Sequence, residues 1–224
     1  QVERGANVVD EDISQFAVDN NFQADFDTGA IKHTLLIGLD HQRINTNYKW
    51  DYGSAPASNI INPIYGQDFS NVKYTAYNDY NQKTRDTGVY LQDQMALDNW
   101  RLTLGGREDW VHQGTTYLNK NDATNTDRSK NFSGNAALSY VFDSGFVPYI
   151  SYAESFQPAS NASASPTESY KPTEGKQWEL GIKYQPPGSN TLLSAALYDL
   201  TQKNVLVSSF QSGGVSVTDQ TGEV

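Results

Sequence analysis

Cysteine is absent from this chain of 224 residues, methionine occurs once and histidine three times. The lack of cysteine rules out a disulfide scaffold and thiolate metal sites, and it fits a bacterial envelope protein. Long apolar runs are missing as well. The longest aliphatic stretch is Leu35-Leu36-Ile37, extended past Gly38 only by Leu39. A membrane-spanning helix needs roughly 20 consecutive apolar residues, so no helix of this chain crosses a membrane. Apolar residues with glycine make up roughly 38% of the chain, against about 45 to 50% in globular domains, so a single deep core is under-supplied. Positive charge is scarce: 16 Lys and Arg stand against 26 Asp and Glu, for a net charge of −10, and the basic residues form no block. Phosphate backbones demand a clustered basic face, which argues against nucleic acid as a partner. The first residue is Gln1, with neither Met nor a leader pattern, which reads as a processed or excised piece.

The chain is rich in aromatic and amide side chains: 14 Tyr, 9 Phe, 4 Trp and 19 Asn. They lie in segments that alternate with period two, the signature of strands with one apolar and one wet face. Phe16, Val18, Phe22, Ala24 and Phe26 alternate with Ala17, Asp19, Asn21, Gln23 and Asp25. Ile31 to Leu39, Thr87 to Leu97, Trp100 to Leu104, Phe132 to Phe142, Phe146 to Phe156, Trp178 to Tyr184 and Leu193 to Leu197 behave the same way. The count is eight or nine strands, most of roughly 12 to 17 residues, well beyond the usual five or six. Asp27-Thr28-Gly29, Asp98-Asn99, Asp143-Ser144-Gly145 and Pro186 to Asn190 carry tight-turn chemistry. Between them the composition predicts long polar loops over 47–80, 114–130, 157–173 and 208–214. Short turns at one end and long loops at the other describe an all-β, antiparallel up-and-down meander of the outer-membrane type. Phe26, Trp100, Phe142, Phe146 and Tyr184 all sit beside short turns, where they would form an interfacial aromatic girdle or cover a small core.

No enzyme signature is present. His33 and His41 share a strand face but stand about 26 Å apart, too far to share a metal. The stretch from Asn119 to Lys130 starts like a calcium loop, yet Thr124 and Lys130 replace the turn Gly and the bidentate Glu. It therefore reads as a solvated loop. Gly105-Gly106-Arg107 opens no helix, so it relieves crowding or bends a strand rather than cradling phosphate. Arg101, Arg107, Asp109, Glu179 and Lys183 fall on polar strand faces, where cross-strand ion pairs are the expected role. The segment from Asn47 to Asn81 differs from the rest. It holds Tyr48, Trp50, Tyr52, Tyr65, Phe69, Tyr74, Tyr77 and Tyr80, flat amphipathic surfaces suited either to a ligand or to packing a loop on itself.

Several strands resemble one known family. Thr87-Gly88-Val89-Tyr90-Leu91-Gln92-Asp93-Gln94 and Leu104-Gly105-Gly106-Arg107-Glu108-Asp109-Trp110 resemble paired strands of TonB-dependent siderophore receptors. Pro148 to Pro158, Gly175 to Tyr184 and Ala196 to Thr201 are similar to further strands of that family, in the same order. The ferrichrome (hydroxamate) branch resembles it most, through Leu35 to Asp40 and Asn62-Pro63. The resemblance implies a barrel of about 22 strands in the bacterial outer membrane, plugged by an N-terminal domain. Such receptors import ferric siderophores with energy passed from TonB. On this reading 1–224 is one partial barrel domain, its middle portion, without plug, TonB box or C-terminal strands.

The resemblance further implies ligand contacts at Trp50 and Tyr52, then Tyr48, just beyond a strand expected to end near Ile44. It implies no enzyme activity and no resident cofactor, iron arriving only inside the ferric siderophore. Expected partners are the siderophore, TonB through the plug, and outer-membrane lipid. A complete eight-stranded outer-membrane barrel with a structural or adhesive role, and a soluble ligand-binding barrel, are the competing readings.

Overall fold

The computed structural model describes residues 2–159, 170–210, 216–220 and 222–224. Eight strands follow one another: β1 (Val2–Thr28), β2 (Ile31–Ser58), β3 (Tyr74–Leu97), β4 (Trp100–Tyr117), β5 (Ala123–Tyr140), β6 (Phe146–Gln157), β7 (Thr173–Tyr184) and β8 (Leu193–Lys203). Each pairs antiparallel with its chain neighbour in one sheet, and β9 (Leu206–Phe210) and β10 (Ser216–Gln220) form a separate hairpin. One 3-10 turn, Leu118–Lys120, is the only helical element among the described residues. The expected meander is therefore present, curled as a half-barrel. It does not close, because no pairing joins β1 to β8 among the described residues, which removes the complete eight-stranded barrel.

The tight turns lie where their chemistry placed them, with Gly29 and Asp98 at φ of 65° and 48°. The long loops do not. β2 runs on to Ser58 and β3 starts at Tyr74, so half of the expected 47–80 loop is paired strand. Likewise β4 continues to Tyr117 and β5 begins at Ala123, reducing 114–130 to a turn through Asn121 and Asp122 in left-handed conformation. The reason is that apolar alternation reports a buried or lipid-facing side, whereas the backbone ladder needs neither. Beyond the apolar band both faces are wet, so the pattern fades while the hydrogen bonds continue. Most of the expected 157–173 loop lies outside the described residues, as does 211–215 of the last one, and β9 already occupies 206–210.

Register assigns every strand residue to a face. On one face a continuous apolar row crosses six strands: Met95, Leu102, Leu138, Ile150, Leu180 and Leu197 are successive direct partners. Ile37, Leu39, Leu104, Leu180 and Ile182 on this face are 40% to 60% exposed, and Leu35 and Leu102 are half-buried. At its turn end stand stacked Phe146 and Tyr184, Trp100 edge-on to Tyr140, and Phe26 stacked on His33. Midway along β6 and β7, on the loop side of Ile150 and Leu180, Tyr152 meets Trp178. This is an outward band rimmed by aromatics, as a lipid-facing surface requires.

The opposite face buries its own side chains although no layer of secondary structure covers it. Tyr80, Asp109, Val111, Gln113, Thr115 and Tyr117 are the buried members, all on β3 and β4. Side chains on the inside of a curled sheet converge, and glycine supplies the floor. A Cβ on Gly38 would run into the Tyr90 ring, and one on Gly181 into the ring of Tyr149. Gly38→Val is thus expected to displace Tyr90 from the Asp19 carboxylate it donates to at 3.0 Å. The overpacking cost is roughly 1 to 3 kcal/mol, read as a lowered urea midpoint.

Candidate functional site

At the loop end of the concave face one register row reads Glu11, Tyr48, Tyr80, Tyr117 across β1 to β4. Direct cross-strand partners lie within reach of one another's rings. Tyr48 stacks on Tyr80 with centroids 5.1 Å apart and 24° between planes, and Tyr80 meets Tyr117 at 6.4 Å and 56°. Tyr117 is fully buried and Tyr80 nearly so, leaving Tyr48 as the accessible end. Burial pushes the Tyr80 hydroxyl up to about 12, with Tyr48, Glu11 and Tyr117 adding to the shift. It is a neutral donor across physiological pH.

The next row toward the loops carries Trp50. Its indole Nε1 donates to Asn7 Oδ1 at 3.0 Å, and its ring meets Tyr77 at 4.6 Å. Tyr52 lies over Gly5, where a Cβ would press on its ring. Tyr48, Trp50 and Tyr52 therefore share one face of β2, inside the ladder rather than beyond a strand end at Ile44 as the sequence suggested. A bulge between Trp50 and Asp51 in the pairing with β3 admits Tyr77 beside the indole. Sequence reasoning named Tyr80 only as one of the aromatics of an expected loop and did not single out Tyr117 or Glu11. Their signal was the period-two continuation past Ile44, which becomes readable only once the register is known.

Nearer the turns, Arg107 on β4 reaches across β3. Its Nε donates to Asp109 Oδ1 at 2.8 Å, and its guanidinium donates to both oxygens of Asp40, one of them at 3.0 Å. The expected cross-strand ion pair is there for Arg107, but its cross-strand partner is Asp40; Asp109 joins it from two residues along the same strand. Arg101 instead donates to the carbonyls of Asp98 and Trp100 in its own turn. Glu179 and Lys183 do not pair with each other; both meet Tyr149, which donates to Glu179 at 2.6 Å and carries Lys183 over its ring. Gly105 makes the expected room, since a Cβ there would strike the Asn135 amide.

The outward face holds the histidines. His33 contacts Asp93 at 2.7 Å, and His41 contacts Thr87 at 2.9 Å. Among the described residues no group of three or more His, Cys, Asp and Glu is placed to hold a metal. The Asn119 to Lys130 stretch, read as a solvated loop, is mostly strand β5. A cleft of about 510 Å³ lined by Asn45, Lys83, Arg85 and His112 also opens outward, away from the aromatic wall.

Residues 3–224 match the family model described as TonB dependent receptor-like, beta-barrel. The chain belongs to the TonB-dependent receptor family. It is 42% identical over 203 residues to a ferrioxamine B receptor of Salmonella typhimurium, covering 90% of this chain and 28% of that protein. Against the ferrichrome outer membrane transporter/phage receptor of Escherichia coli it is 38% identical over 219 residues, covering 94% and 29%. The chain thus spans less than a third of the length of these relatives. Among solved structures, the ferric-catecholate import receptor Fiu of E. coli superposes with a TM-score of 0.75 at 20% identity, over 95% of this chain and 34% of that one. The ferric citrate transporter FecA gives 0.74 at 16% identity, over 94% and 30%. The family is one of receptors and transporters, and the chain is part of a β-barrel of the bacterial outer membrane.

Proposed function

We propose that this segment forms part of the wall of an outer-membrane receptor that binds and imports ferric hydroxamate siderophores in a TonB-dependent way. The observation that carries the reading is the aromatic wall on the concave face at the loop end: Tyr48, Trp50 and Tyr52 on β2, backed by Tyr77, Tyr80 and Tyr117. Flat amphipathic rings with fixed hydroxyl and indole donors suit a bulky, weakly polar complex. The names of the ferrioxamine and ferrichrome relatives support the same cargo. No side chain here need touch iron, because the siderophore already fills the metal's coordination sphere. The barrel wall needs no resident cofactor, and TonB would act through a plug domain inside the barrel.

Outer-membrane lipid is the partner of the opposite face. Beyond the apolar band, Arg43, Arg85, His112 and Arg128 are successive direct partners across β2 to β5. Like charges opposed on neighbouring strands are destabilising on their own. Anionic headgroups at that height would offset the repulsion, which supports this face as the one in contact with lipid.

In a complete receptor carrying this segment, Trp50→Ala with Tyr52→Ala should weaken ferric trihydroxamate binding by roughly 1 to 3 kcal/mol. Surface expression should stay normal, since both side chains lie on the lumenal side of an intact ladder. Titration of intrinsic fluorescence with the ferric complex measures the effect. Wild-type affinity in a correctly assembled double variant would remove this wall from the binding site.

A further inference from the structure

Toward the loop end, acidic residues occupy both faces of the sheet, but basic residues are all but confined to the outward one. From the register row of Arg107 to the loop end, the strand residues of the concave face include Asp19, Asp40, Asp86, Asp109, Asp127 and Glu11. Apart from Arg107, committed to Asp40 and Asp109, no strand position on that face over that stretch is Lys or Arg. Over the same stretch Arg43, Lys49, Lys83, Arg85, Arg128 and Lys130 all point outward. The wall that would face a ligand is therefore acidic as well as aromatic.

Within that wall, Glu11 ends the tyrosine row, directly opposite Tyr48. It is exposed, and among the described residues it enters no ion pair. The basic residue next to Tyr48, Lys49, faces outward and pairs with Asp51 at 3.3 Å. At the far end of the row an ammonium is already in place: Lys120 Nζ sits 4.9 Å from the centroid of Tyr117. A ring face and a carboxylate side by side form a site for an organic ammonium, by cation–π attraction and charge pairing together.

We infer that Glu11 and Tyr48 form a subsite for a protonated amine on the cargo, so that this wall favours cationic over neutral ferric siderophores and disfavours anionic ones. The inference rests on the proposed siderophore site and adds the charge of its ligand. Neither a neutral complex nor a polyanionic one would use the carboxylate, and a polyanion would meet Asp86, Asp127 and Glu11, with Lys120 over Tyr117 as the base at that end of the row.

The test compares two probes on a complete receptor carrying this segment. One is a linear ferric trihydroxamate ending in a free primary amine; the other is the same complex with that amine acetylated, so the pair differs by one charge. Wild type should bind the amine form about tenfold more tightly at low salt. That ratio should shrink as ionic strength rises. Glu11→Gln should bring it to about one, and Tyr48→Leu should lower it where Tyr48→Phe does not. The ratio on a single protein cancels any general loss of folding or affinity, and the salt series on wild type needs no variant. Equal wild-type affinities for the two probes, or a preference that survives Glu11→Gln, would overturn the inference while leaving the siderophore site intact. Failure of both probes to bind would remove the site and the inference with it.

Discussion

A complete receptor carrying arginine at both Leu102 and Leu180 is expected to disappear from the outer membrane. The two residues belong to one apolar row, Met95-Leu102-Leu138-Ile150-Leu180-Leu197, that crosses the outward face without a polar interruption. Aromatic pairs bound it on both sides, Phe146 with Tyr184 toward the turns and Tyr152 with Trp178 toward the loops. A guanidinium placed there has no partner and no water. On the lipid face of a barrel it costs roughly 2 to 4 kcal/mol at mid-depth, falling toward the interfaces. Leu180, 60% exposed on the outward face where Leu102 is half-buried, should be the costlier of the two positions. Together the substitutions should cost on the order of 4 to 6 kcal/mol, comparable with the whole stability of many domains. Outer-membrane abundance and heat-modifiable mobility on gels would record it. Gln177→Arg, next to Trp178 but facing the concave side, should assemble normally. If both faces tolerate arginine equally, the outward row does not face lipid.

That row shows how the fold could be read from sequence and where the reading stopped. Leu102, Leu180 and Ile182 announce their strands because one wholly apolar face imposes period-two alternation, and the turns at Gly29 and Asp98 announce themselves by their chemistry. Tyr48, Trp50 and Tyr52 carry no such signal. Beyond the band their outward neighbours are Asn47, Lys49 and Asp51, so both faces are polar and the stretch looks like a loop although it is hydrogen-bonded to β1 and β3. Their common face could be guessed from spacing. Their company could not, because Tyr117 is distant in sequence and joins Tyr48 and Glu11 only through three successive registers. Asp40 beside Arg107 escaped for the same reason: the guanidinium reaches past β3 to a strand that is not its neighbour.

The pairing of Arg107 makes its loss the second large effect. Arg107→Met keeps most of the aliphatic stem but removes the one cation shared by Asp40 and Asp109, which stand in one register row on either side of Gly88. Asp109 is 6% exposed, and Asp86, one row nearer the loops on the same face, has a buried oxygen without a partner. With Asp19 directly opposite Asp40, four carboxylates would then share one patch of wall with no counter-charge. Removing one partner of a fully buried pair costs roughly 3 to 5 kcal/mol. Arg107 keeps a third of its side chain exposed, so solvent screening reduces the expected loss to about 2 kcal/mol. Gly88 adds a constraint, since a Cβ there would occupy the guanidinium's place and Gly88→Ala should reproduce part of the loss. The decisive comparison is a cycle: Arg107→Met alone, Asp109→Asn alone, and both together. If the guanidinium neutralises the wall, the double variant should regain about half of what Arg107→Met lost, because one stranded charge is gone. Losses that simply add would show that Arg107 acts through packing over Gly88 rather than through its charge.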